Sequence, residues 1–214
     1  GKMRLVKDAA EIEVIRKSAE NSSLAHRTAM AATKPGKFEY QIEAEIEYHF
    51  RHGGAEDLAY SSIVAGGENA TVLHYKTNRD VLRSGDLLLI DAGGEMGLYA
   101  SDITRSFPVN GKFTPEQKRL YEIVLKANKE AIMMLKPGVK FHDIHQRATE
   151  ILVDGLLDLG FLKGKCAEIL KYKKNYSHFY PHNTSHWLGL DVHDAGPYYP
   201  EHGGSVPLVA GNVL

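Results

Sequence analysis

Apolar residues recur at helical spacing from near the start of the chain. Ile12, Ile15 and Ala19 fall on one face, extended by Ser22 and Ser23, with Glu and Lys between them, and this predicts a helix over Ala9–Ala32. Asp8 suits its N-cap, and Lys34-Pro35-Gly36 stops it. Ile42, Ile46 and Phe50 predict a second amphipathic helix over Phe38–Arg51, ended by His52-Gly53-Gly54. The period then changes. Tyr60–Ala65 reads as a strand core, Gly66-Gly67-Glu68-Asn69 as a turn, and Thr71–Tyr75 as β-prone. After a turn at Arg83–Asp86, Leu87–Ile90 reads as a buried strand running into Asp91. A tight loop near Glu95–Leu98 then precedes a returning strand over Tyr99–Phe107.

Helical spacing returns at Thr114-Pro115-Glu116-Gln117, which combines an N-cap, a proline at the first helical position and acidic or amide residues in the first turn. This helix is expected to run to Leu135, and another to span Phe141–Leu159. The remainder reads as irregular, rich in Tyr and His and then in Gly and Pro. The order helix, Lys-Pro-Gly, helix, Gly occurs twice, around Lys34-Pro35-Gly36 and around Lys136-Pro137-Gly138. The echo predicts two similar α+β halves facing each other across a cleft, each with two helices and several antiparallel strands. The segment Pro207–Leu214 resembles the stretch Leu82–Leu88 that leads into the Asp91 strand, so the chain is expected to stop where a ligand-bearing strand would begin.

Composition adds limits. At 214 residues, 43% hydrophobic and 25% charged, the chain can bury a sizeable core. A net charge of -1 gives no general electrostatic case for nucleic acid or an anionic membrane. Lys171-Tyr172-Lys173-Lys174 reads as a solvated loop, and no apolar run approaches the ~20 residues of a membrane span. The lone Cys166 excludes an intrachain disulfide and suits a reducing cytoplasm. Four Asn-x-Ser/Thr matches, without a secretion signal, read as coincidence.

Two places carry chemistry. A two-residue loop at Met96-Gly97 would set Asp91 opposite Asp102, with Cβ atoms roughly 4.5–5.5 Å apart on the face shared by Leu87 and Leu89. Carboxylates so placed repel, and a divalent cation resolves the conflict. Two solvated aspartates, or a metal-free acid/base pair, are the alternatives. The second place is Pro181–Asp194, where His182, His186 and His193 lie within twelve residues beside Trp187. Imidazole suits Zn, Mn, Fe or Co in mixed sites, while each histidine alone could as well be a surface or core residue. His74 has a strand-like setting and reads equally as a buried structural histidine. No phosphate loop and no Gly-x-Ser-x-Gly elbow is present.

The segments Ile90-Asp91-Ala92-Gly93 and Tyr99–Gly111, the histidine segment His182–Asp194, and the Tyr…Gly-Glu-Asn…His-Tyr stretch Tyr60–Tyr75 resemble those of the aminopeptidase P and prolidase family. The resemblance spans essentially the whole chain. It implies an α+β pita-bread fold of two pseudo-symmetric halves around two divalent ions, with manganese first and cobalt, zinc or iron as alternatives. Asp91, Asp102 and His186 would be metal ligands. His74 and His193 would be catalytic cleft histidines, and Tyr60 and His182 substrate-binding residues. Two further glutamate ligands of the family would follow the point matching Leu214, and the family's usual N-terminal domain would precede Met3, with Gly1-Lys2 as a boundary remnant. Residues 1–214 would then form one incomplete catalytic domain, nearly inactive alone.

The implied reaction is hydrolysis of an N-terminal Xaa-Pro bond in the cytoplasm, on peptides with proline second, with no nucleic-acid or membrane partner and with homo-oligomerisation left open. Prolidase activity on Xaa-Pro dipeptides and a non-catalytic pita-bread binding module are the alternatives. Methionine aminopeptidase fits the segments around the aspartates and His186 less well.

Overall fold

The computed structural model describes residues 2–199 and 203–214. Gly1, half of the pair read as a boundary remnant, lies outside them. A short helix α1 (Lys2–Leu5) leads to α2 (Ala9–Ala32) and α3 (Glu39–His52). Asp8 caps α2 as expected: its carboxylate accepts from the amides of Ala10 and Glu11, and Glu11 returns a bond to the Asp8 amide. Strands follow at β1 (Asp57–Leu58), β2 (Ile63–Gly66), β3 (Leu87–Ala92), β4 (Gly94–Met96), β5 (Tyr99–Ala100) and β6 (Ile103–Pro108). The chain then becomes helical, with α4 (Pro115–Met133), α5 (Phe141–Asp158) and α6 (Cys166–Leu170). Thr114 caps α4 with Pro115 at its first position.

Two antiparallel sheets form, in the orders β2-β3-β6 and β1-β4-β5. Strand β3 alternates: Leu88, Ile90 and Ala92 are buried, while Leu87, Leu89 and Asp91 are half-exposed. The buried face packs on Ala25 and Ala29 of α2 and on Ile42, Ile46 and Phe50 of α3. Burying each large side chain here stabilises the fold by roughly 1.5–3 kcal/mol. A second core gathers Ala127 and Ala131 of α4, Phe141, Ile144, Ala148 and Ile151 of α5, and Trp187. Trp187 is fully buried, stacked 5.7 Å from Tyr198, and donates through Nε1 to the Pro197 carbonyl. It therefore anchors the histidine segment in the core.

The internal echo is visible bond by bond. The Gly36 amide donates to the Leu82 carbonyl at 2.9 Å, and the Gly138 amide donates to the Leu208 carbonyl at 2.8 Å. Leu82 donates back to Lys37, and Leu208 to Val139. Antiparallel bridges Phe38–Val81 and Lys140–Pro207 sit between these bonds. Each half thus docks the start of its second helix on a returning segment in the same way.

Four local expectations need correction. The hairpin turn is Gly97-Leu98, not Met96-Gly97. Both residues are left-handed (φ 54° and 69°), as a type I′ turn demands, so Met96 faces Tyr99 and Asp91 faces Thr104 rather than Asp102. The returning strand is broken at Ser101-Asp102, between β5 and β6. The β-prone stretch Thr71–Tyr75 is no strand: a 3-10 turn over Gly67–Thr71 runs into it, Val72 and Leu73 are exposed, and His74 is left-handed and exposed. An apolar pair with no sheet to pack against gains nothing from extension. Finally, among the described residues no strand follows β6, which ends at Pro108, so the second half contributes helices and one isolated bridge instead of several strands.

Candidate functional site

Asp91 ends β3 on its half-exposed face, and Asp102 occupies the break between β5 and β6. Close approach of the two segments depends on Gly93, because a Cβ there would lie 1.8 Å from the Ser101 carbonyl oxygen. The inner face of α2 holds the same corner. Ser18 donates to the Gly94 carbonyl, Ser22 accepts from the Gly94 amide and bonds the Ser101 hydroxyl, and His26 Nε2 donates to the Ala92 carbonyl. Ser18, Ser22 and His26 are buried and follow one another at four-residue spacing. The helical spacing placed Ser22 on the packed face but not Ser18 and His26, although the same periodicity was the available signal for them.

The two carboxylates meet at Tyr60, whose hydroxyl lies 2.6 Å from Asp91 Oδ1 and 2.9 Å from Asp102 Oδ1. One hydroxyl proton can serve only one of them at a time. Burial and then the two negative charges push the Tyr60 phenol far above its ordinary range, so it stays protonated. Burial pushes Asp91 up, and the neighbouring Asp102 charge adds to the shift against the Tyr60 bond. Burial also presses Asp102 upward, but bonds from His186 and Tyr60 outweigh it, and its carboxyl falls below the usual value. The pair is therefore split, as like charges in one half-buried site must be.

The histidine segment reaches the same corner because the Ala100 amide donates to the Gly189 carbonyl at 2.9 Å. His186 Nε2 lies 3.0 Å from Asp102 Oδ2, while its Nδ1 lies 3.1 Å from the Trp187 carbonyl. The carbonyl can only accept, so Nδ1 carries the hydrogen, and Nε2 confronts a carboxylate with either a second proton or a lone pair. The Asp102 bond, working against burial, raises the His186 pKa. His193 packs edge-on against His186 with ring centroids 4.3 Å apart and is exposed.

Of the seven residues singled out from sequence, Tyr60, Asp91, Asp102, His186 and His193 thus come together. His182 bonds the Asn183 carbonyl and meets the Tyr180 ring, in a separate cluster with His145 and Thr184. Among the described residues His74 makes no hydrogen bond or ring contact to these five.

The donor set fits a hard-to-borderline divalent ion: two carboxylates sharing too few donors, and an imidazole fixed through Nδ1 with Nε2 turned toward one of them. Among the described residues, no group of three or more His, Cys, Asp or Glu is already gathered tightly enough to hold a metal. The three donors meet pairwise through Tyr60 and Asp102.

Comparison with known proteins agrees with this chemistry. The Xaa-Pro aminopeptidase of Haemophilus influenzae is 47% identical over 196 residues, covering 92% of this chain and 45% of that protein. The structure of Pseudomonas aeruginosa aminopeptidase PepP superposes with a TM-score of 0.95 at 48% identity, over 98% of this chain and 47% of that one. A zinc-substituted Escherichia coli aminopeptidase P in complex with product gives 0.94 at 44% identity, over 98% of this chain and 47% of that one. These likenesses establish the pita-bread fold, and the chain spans about half the length of the curated relatives it matches. The model of metallopeptidase family M24 matches residues 13–214, and the chain belongs to that family.

Proposed function

We propose that this protein is a metallo-exopeptidase of the aminopeptidase P type, which hydrolyses the bond between an N-terminal residue and a following proline. The observation that carries the reading is that Asp91 and Asp102 share the Tyr60 hydroxyl while His186 Nε2 meets the other Asp102 oxygen. Relatives named Xaa-Pro aminopeptidase, matching more than nine-tenths of the chain, support it.

Asp91, Asp102 and His186 would hold two divalent ions, manganese first among the alternatives. Bound there, the ions would supply Lewis acidity toward the scissile carbonyl and toward water. The chain's own groups do the rest. Tyr60 keeps both carboxylates aimed at one point. The Trp187 carbonyl fixes the His186 tautomer, leaving Nε2 to ligate. His193 is set to donate a hydrogen bond to the oxygen on which negative charge develops. His74 is assigned the same work from the loop before β3, and His182 a place on the substrate's path. The 214 residues would form one incomplete catalytic domain in the cytoplasm, nearly inactive alone, and among the described residues no helix is long and apolar enough to cross a membrane.

The test is an assay of the manganese-loaded complete gene product on an Xaa-Pro-Xaa tripeptide, an Xaa-Pro dipeptide and a proline-free tripeptide. Cleavage confined to the first supports the proposal. Cleavage of the dipeptide alone makes it a prolidase. No cleavage with metal bound leaves a binding module.

A further inference from the structure

Glu39 is fully buried at the start of α3, and its hydrogen bonds among the described residues come from neutral donors. Its Oε1 accepts from the Gly66 amide at 2.8 Å and from Asn69 Nδ2 at 3.0 Å. Its Oε2 accepts from the Tyr75 hydroxyl at 2.8 Å and the Asp80 amide at 3.0 Å. All four donors belong to one segment, residues 66–80, which carries His74. Strand β2 is a sheet edge, and its outward amides at Val64 and Gly66 are taken by the side chains of Asn78 and Glu39 instead of a neighbouring strand. The loop is thus held where another strand would lie.

The second half supplies an internal control. Glu39 donates its amide to the Asp80 carbonyl as Phe141 donates its own to Val206, each at 2.9 Å, so the two occupy the same position in the repeated unit. There Phe141 packs on Trp187 and Tyr198. The fold accepts an apolar side chain at this position, and a buried carboxylate is needed only for what it binds.

We propose that Glu39 is a positioning residue for the reaction, holding the 66–80 loop so that left-handed, exposed His74 is presented in one conformation. This rests on the reading of His74 given above. The test uses the complete, manganese-loaded gene product as wild type, Glu39→Gln, Tyr75→Phe, His74→Ala and the Glu39→Gln/His74→Ala double variant. Amide exchange at Gly66 and Asp80 should quicken about ten-fold or more in Glu39→Gln, while the amides of β3 keep wild-type protection. Turnover of the tripeptide should fall by about ten-fold or more, and the double variant should be no slower than His74→Ala alone. Tyr75→Phe should give the same pattern in lesser degree, and it carries the test should Glu39→Gln not fold. Unchanged exchange in the loop, or independent losses that multiply in the double variant, would overturn the proposal. If the wild type leaves the tripeptide intact, the peptidase reading falls, and exchange alone decides: lost protection supports the clamp and retained protection refutes it.

Discussion

Lys7 and Asp194 form an ion pair, Nζ to Oδ2 at 2.9 Å, with each side chain only 1% exposed. Arg4 reaches the other Asp194 oxygen and Asp191, so the residues before α2 are tied to both sides of His193. The Asp194 amide in turn bonds the Trp187 carbonyl that also fixes His186. Burial raises the Asp194 carboxyl, but the Lys7 bond and the two cations outweigh it, and its pKa is depressed. Removing Lys7 leaves the buried Asp194 oxygen Oδ2 without its charged donor and Arg4 as the remaining cation, so Lys7→Met should cost about 1.5–3 kcal/mol in urea unfolding. The depressed pKa means that wild type keeps this stability above the ordinary Asp value, about 3.9, and loses it as pH falls through the folded-state value. A Lys7→Met variant within 1 kcal/mol of wild type at pH 7 would refute the assignment.

Gly93→Ala should damage the aspartate corner directly. The new methyl would meet backbone, the Ser101 carbonyl at 1.8 Å, and no flexible side chain can move aside. Overpacking of this kind costs about 1–3 kcal/mol. It should also part Asp91 from Asp102, so metal affinity measured by titration should drop together with the thermal midpoint. By contrast Gly111→Ala, with open space around it, carries only the strain of its φ of 75° and should leave metal affinity unchanged.

His26 is expected to make stability fall with acidity. Burial holds its pKa below the ordinary value, and among the described residues Nδ1 meets no hydrogen-bond partner. The unfolded chain therefore binds more protons than the folded one once pH drops below about 6.5, and stability declines until pH passes the folded-state pKa. His145 is also lowered by burial and acts in the same direction. The difference between wild type and His26→Gln, measured by urea unfolding at pH 7.5 and pH 5, isolates the His26 share. Parallel pH dependence in the two proteins would rule it out.

The helices were legible because their information is local. Ile42, Ile46 and Phe50 repeat at helical spacing and all became core, and Asp8 and Thr114 cap where their side chains allow. The convergence of Asp91 and Asp102 was legible too, since any tight hairpin returns the chain past Asp91. The register was not. It turned on Leu98 adopting a left-handed conformation, which nothing in a leucine announces. Residues 66–80 escaped for a different reason. Their order comes from Glu39, far back in the chain, and from Asn78, whose side chain bonds the Ser62 carbonyl and the Val64 amide. Such side-chain partners replace a strand without leaving a periodic trace.

Tyr60→Phe separates electrostatics from packing at the centre. The ring stays and the shared hydroxyl goes, so Asp91 and Asp102 face each other with no donor between them. Supporting groups around metal ligands typically contribute 10–100-fold in affinity or activity. The manganese-loaded variant should lose about that much turnover on an Xaa-Pro tripeptide, with its urea midpoint near wild type. Wild-type turnover would remove Tyr60 from the site.

Charge balance sets the last expectation. On the proposed function two divalent ions would bring four positive charges, and among the described residues of the centre only Asp91 and Asp102 would oppose them, with His186 neutral when it ligates. Uncompensated repulsion between the ions should let the 214 residues on their own take up a first manganese ion far more tightly than a second. Calorimetric titration of this polypeptide should show one site, weakened about 10–100-fold or more by Asp102→Asn, because Asp102 alone touches both Tyr60 and His186. Asp91→Asn should weaken it less, since Asp91 is the carboxyl already pushed toward protonation by burial. Chelation should remove the ion and leave the helical far-UV signal intact, because the cores around Phe50 and Trp187 are apolar clusters that include none of the three donors. Two equally tight sites in the 214 residues would mean that ligands other than these three complete the centre, and the donor set would have to be redrawn.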